Sequence, residues 1–218
     1  MISPTPSNLF DNFNLNPLFD ISPSAAGSET HNLLKFLYDL RELSNLQERA
    51  IQNKILSEDE AELHNESIAV TKDIADDFLM VAPILLYRLI EKYLKQYLLN
   101  LYKPILAKES DYTFKKSSLT FSQAIMTADI LRIEALYNNP PINVEMTKLP
   151  GYDIITEIRE LNNCLKHNHD LVSDKLNAAN PSWVVNNIIT VENIGERISK
   201  YDEAVNSFFH ALVINAFK

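Results

Sequence analysis

Glycine is scarce here, with three residues in 218. It supplies the positive-φ positions of tight hairpins and the bare backbone of phosphate-cradling loops, so a hairpin-rich β fold and a Gly-rich nucleotide loop both lack their material. No G-x-G-x-x-G, P-loop, H-E-x-x-H or nucleophile-elbow pattern occurs. Cysteine is nearly missing as well: a lone Cys164 excludes an internal disulfide and suits a reducing, cytoplasmic setting. The start of the chain has no basic stretch leading into an apolar one, so no secretory signal is expected. The longest apolar runs, FLMVAPILLYRLI among them, meet a charge too soon to cross a bilayer. Bases are outnumbered, 20 Lys and Arg against 29 Asp and Glu, for a net charge of −9 and a pI near 5.0. That balance argues against a broad surface for coating nucleic acid.

Apolar residues make up 46% of the chain, enough for one sizeable core, and Leu, Ile, Ala, Lys, Glu and Asn are plentiful. The expected class is all-α: a bundle of about six helices over residues 29–218, behind a flexible tail of residues 1–28. The tail is rich in Pro, Ser and Asn, and its Phe10, Phe13, Leu18 and Phe19 could clip onto a protein partner.

Apolar spacing and capping signals predict helices over 29–56, 58–81, 83–102, 120–137, 152–167 and 191–216. Ser57 with Glu60 and Thr120 with Gln123 read as capping boxes. Pro83 is expected in the first turn of the third helix, and Asn138-Asn139-Pro140-Pro141 ends the fourth. Residues 168–189 read as irregular, with Trp183 as a core plug or interface anchor. Neither an internal repeat nor a heptad long enough for a coiled coil stands out. Charge is uneven: residues 57–77 hold eight acids against Lys72 alone, and residues 88–116 hold seven bases against three acids.

The segment EIRELNNCLKHNH, residues 157–169, concentrates chemistry: an arginine, a lysine, two histidines and three asparagines. On a helix, Arg159, Asn163 and His167 fall at i, i+4 and i+8, within a sector of about 80°. Asn162 and Lys166 form a second polar row, while Ile154, Ile155, Ile158, Leu161 and Leu165 take the other side. Such a row can stabilise an oxyanion and move a proton. It is equally good helix-ending chemistry, with cations at the negative end of the dipole and Asn168 able to adopt the left-handed stop. His167, His169 and Asp170 are not spaced as metal ligands, and Cys164 borders the apolar face as a buried, inert thiol. No metal or other cofactor is expected. His31, His64 and His210 stand alone.

Two stretches together resemble the HEPN superfamily (higher-eukaryote and prokaryote nucleotide-binding domains): YRLIEKYLK at 87–95 and NNCLKH at 162–167. Asn163 and His167 match the family's polar residue and histidine. The family's arginine falls on Asn162, and Arg159 lies one turn earlier. The resemblance implies a helical bundle, a homodimer and metal-independent cleavage of RNA, in a bacterial or phage defence or toxin–antitoxin setting. It implies His167 as general acid or base, Arg159 on the scissile phosphate and Asn163 orienting either of them. Glu91 would support Arg159 or His167 from the core helix unless it pairs with Lys95, and Asn162 and Lys166 would line the site. The rival reading is a non-catalytic interaction module in which the same polar row is a contact.

Overall fold

The computed structural model describes residues 28–36, 39, 42, 45, 46, 49, 58–106 and 121–216. Expectations for residues 1–27, for the rest of the first helix and for residues 107–120 lie outside these, as do Ser57 and Thr120 of the two capping boxes. The described residues are all-α. α1 is helical over 28–36; the others are α2 (Glu58–Leu106), α3 (Phe121–Met126), α4 (Ile130–Asn138), α5 (Tyr152–His167), α6 (Asp174–Ala179), α7 (Val191–Gly195) and α8 (Ile198–Ala216). The only β pairing among them is an isolated bridge, Leu171 to Ile188. None of the described helices is long and apolar enough to cross a membrane.

α2 is the spine. Its 49 residues span about 74 Å at 1.5 Å per residue. Leu86, Ile90, Tyr93, Leu94, Tyr97 and Leu98 recur at helical spacing and are sealed in the core. This corrects the expected break at Pro83, which sits buried in the helix interior. An interior proline forfeits one backbone hydrogen bond and crowds the preceding turn, at a cost of ~3 kcal/mol. Leu79 and Ala82 before it and Leu86 and Ile90 after it belong to one hydrophobic cluster. Burial on both sides holds the helix continuous across the proline.

The helix expected over 120–137 is two. Thr127–Asp129 interrupts it, and Asp129, in an extended conformation, caps α4 by accepting from the Arg132 N–H at 2.9 Å. The last helix also divides, at Glu196–Arg197. Of its expected buried face, Ile194, Ile198, Tyr201, Val205, Phe208, Phe209 and Leu212, all are buried except Ile198, which is partly so. Residues 168–189 contain α6, capped by the Ser173 hydroxyl. The merger of two expected helices into α2, these two splits and the added α6 together give eight α-helices among the described residues, where about six were expected.

α5 packs against α2, α6 and α8, so three elements fix its orientation. Gly151 opens it at φ +80°, and a Cβ there would strike the Ala204 carbonyl oxygen of α8. Only glycine lets the start of α5 lie this close to α8.

Candidate functional site

α5 runs over 152–167, as its spacing predicts, and carries two polar clusters on different sides. The first centres on Glu157, which is 1% exposed. Its Oε1 accepts from Trp183 Nε1 at 2.8 Å, Arg197 Nε at 3.1 Å and the Tyr201 hydroxyl at 3.1 Å, and its Oε2 accepts from Asn180 Nδ2 at 2.8 Å. The Arg197 guanidinium lies over the Trp183 ring, 4.0 Å from its centroid. Burial and the Glu157 carboxylate push the Tyr201 hydroxyl well above its ordinary pKa, so it stays a donor. Four donors converge on one carboxylate, which is how a buried charge is kept without an uncompensated desolvation cost.

Sequence reasoning missed this hub. A signal was there: Ile154, Glu157, Ile158 and Leu161 follow the i, i+3, i+4, i+7 pattern, so Glu157 is an acid set in an apolar row. Trp183, expected as a core plug, is buried and also donates its indole N–H.

The second cluster contains the predicted residues. Arg159 Nε donates to Glu160 Oε1 at 2.9 Å, and its Nη1 lies 3.5 Å from Glu134 Oε1 on α4. Burial opposes the charge on Arg159, but the bond to Glu160 and the fields of Glu160 and Glu134 outweigh it and raise its pKa. Tyr152 donates its hydroxyl to the same Glu134 oxygen at 2.8 Å, and Asn163 Nδ2 donates to Glu160 Oε2 at 3.2 Å. Tyr87 of α2 is pushed up to about 12 by burial and then by Glu91, and it feels Arg159, Glu134 and Glu160 as well. Asn162 is buried; its Nδ2 makes a long contact of 3.4 Å to Asn163 Oδ1, and its own Oδ1 has no partner.

The remaining predicted residues are not drawn into this cluster. Glu91 pairs with Lys95 at 2.6 Å, and Lys95 donates onward to the Met126 carbonyl at 3.0 Å. Of the two fates weighed for Glu91, the structure has the pairing with Lys95. Lys166 and His167 are exposed at the end of α5. Burial of its stem and the nearby Arg88 lower the pKa of Lys166, partly offset by Glu91. His167 makes no hydrogen bond or ion pair with any described residue. Asn168 closes the helix at φ −120°; the left-handed positions fall on His169 and Asp170 instead. The Asn168 side chain has another use, donating to the Leu171 carbonyl at 2.7 Å. Cys164 is buried with its thiol 3.4 Å from the Ser173 hydroxyl.

Arg159, Asn163, Asn162 and the unforeseen Glu160, Glu134 and Tyr152 thus form one connected network. His167 and Lys166 stand at its open end. Among the described residues no three His, Cys, Asp or Glu side chains gather as a metal site. No protein-family model, curated protein or solved structure matches this chain.

Proposed function

We propose that this chain is a helical protein-interaction module in which the polar row of α5 organises the bundle and its surface rather than a reaction. The observation that carries this reading is the commitment of Arg159. A guanidinium that clamps a scissile phosphate must be open to it, and this one is shared between the carboxylates of Glu160 and Glu134. A phosphate would have to displace a carboxylate and then face both. Asn163 is held by Glu160 in the same way. Arg159 and His167 lie eight positions apart on continuous helix, about 12 Å along the axis.

A second reading has its own support. His167 is exposed beside Lys166, with Arg88 close enough to depress the lysine. This cationic corner and the HEPN resemblance favour metal-independent cleavage of RNA by a homodimer. There His167 would take the 2′-OH proton or protonate the leaving 5′-oxygen, and a second copy would complete the site.

One experiment separates the two. Purified protein is incubated with a mixed RNA pool in EDTA, wild type beside His167→Ala, with single-stranded DNA as control. The module reading expects no cleavage by either protein. RNA-specific cleavage by the wild type that is lost in His167→Ala overturns it in favour of the nuclease.

A further inference from the structure

The first half of α2 leaves a seam open. Leu63, Val70, Ile74, Phe78 and Val81 are all exposed large apolar residues. At 100° per residue they fall within about 80° of one another and extend about 27 Å along the helix. The buried residues of this half, Ala75, Leu79 and Ala82, lie on a neighbouring face. Phe78 borders the two faces, where it meets the Phe36 ring edge-on at 6.0 Å. Leu63, Ser67, Val70, Ile74, Asp77 and Val81 follow alternating steps of four and three, the a/d pattern of a helix-pairing seam. The seam is less than three heptads long, so it fits one docked helix rather than an extended coiled coil.

The flank of this seam is acidic. Asp59, Glu66 and Asp73 occupy successive g positions beside it and are exposed, and Asp77 stands within the seam itself. Two copies paired antiparallel would bring the g acids face to face; paired parallel, they would bring Asp77 against Asp77. Nor can this chain offer the nearby bases of α2 to a copy without cost, since Lys92 is held by Glu29 at 2.9 Å and Lys95 by Glu91. Residues 1–27 carry only Asp11 and Asp20 as charged side chains, the wrong sign for this flank.

We infer that the seam over residues 63–81 docks a basic amphipathic helix of another protein, its apolar face on Leu63, Val70, Ile74 and Val81 and its Lys or Arg against Asp59, Glu66, Asp73 and Asp77. This deepens the interaction-module reading by naming its surface and the chemistry of its partner. Apolar contact supplies affinity, and the acid row selects sign and orientation.

The test uses the full chain and a synthetic peptide of about three heptads with Leu at a and d and Lys at e and g. Two control peptides carry Glu at e and g, or Ser in place of Leu. Binding is read by fluorescence anisotropy. The Leu/Lys peptide is expected to bind about tenfold or more tighter than either control, and to weaken as salt rises. Ile74→Asp is expected to remove that binding with its circular dichroism and melting unchanged. The double variant Glu66→Lys, Asp73→Lys is expected to reverse the preference towards the Glu peptide, a change that misfolding does not produce.

Equal binding of the Lys and Glu peptides overturns the inference. So does a homodimer, seen by light scattering, that Ile74→Asp dissolves. The third overturning result is Ile74→Cys unreactive to maleimide in the native full chain, which would mean its own residues cover the seam; Cys164 is buried and adds little background. Loss of the seam with no RNA cleavage leaves the module reading in place with another surface. RNA cleavage that needs His167 overturns the module reading whatever the peptides do.

Discussion

Glu157 and Arg159 are two residues apart on α5 and end in opposite circumstances. The Glu157 side chain is 2% exposed and receives four donors from α8, α7–α8 and the 180–183 turn; the Arg159 side chain is 20% exposed and leans on two acids, one of them its neighbour. The difference lies in what covers each side of the helix. α8 and the segment after α6 close over Glu157 and bring Trp183, Arg197 and Tyr201 with them, whereas Arg159 is approached by Glu134 of α4 and Tyr87 of α2 among the described residues of other helices. A polar residue on a packed helix is sealed into the core where several elements close over it, and is held by fewer partners nearer the surface where they do not.

Removing the charge from the sealed side should break this comparison most sharply. Glu157→Ala leaves Arg197 without its counter-ion and the donors of Trp183, Tyr201 and Asn180 unsatisfied. The expected loss is about 3–5 kcal/mol, the range for a buried pair deprived of one partner, read from urea denaturation. Glu157→Gln keeps the shape and one carbonyl but places an NH2 towards Asn180. Asn180 cannot simply turn over, because its Oδ1 already accepts from the Ser182 N–H at 3.0 Å. A loss of about 1–3 kcal/mol is expected for that variant. If both substitutions cost no more than a surface change, Glu157 is not the hub described here.

On the open side the same kind of deletion should cost far less. Arg159→Ala leaves Glu134 with Tyr152 and Glu160 with Asn163, so neither acid loses its last partner. About 1 kcal/mol is expected after solvent screening. A double-mutant cycle of Arg159→Ala with Glu134→Gln should give a coupling well under that of Glu157 with Arg197. Equal couplings would erase the distinction between the two sides.

Much of this was legible in the sequence and some was not, for physical reasons. α5 announced both its ends, through Pro150-Gly151 and through Lys166, His167 and Asn168. Pro83 misled because a local rule was overridden by burial on either side of it. The break at Thr127–Asp129 carries neither glycine nor proline, and Asp129 reads as an ordinary helix residue until its side chain is seen to cap. Arg159, Asn163 and His167 were visible as a row, but Glu134 approaches from another helix, and no spacing within α5 could reveal that the arginine was already engaged. Glu157 was legible in principle, as an acid in an apolar row, but its donors come from residues 180–201 and no spacing within α5 names them.

The smallest expected effect concerns the far end of the open side. Lys166 has its pKa lowered by partial burial and by Arg88, against a smaller opposing pull from Glu91. The folded state therefore holds the proton less tightly than the unfolded chain does. The stability deficit from this group is fully present below its folded midpoint, and it fades as pH rises from there towards the ordinary lysine value. Heteronuclear NMR of the lysine side chains should find Lys166 titrating below the ordinary lysine value, and Arg88→Gln should move it upward. A Lys166 midpoint that ignores Arg88 would mean that the cationic corner at the end of α5 does not act as a unit, and with it would go the electrostatic support for an anion-binding role beside His167.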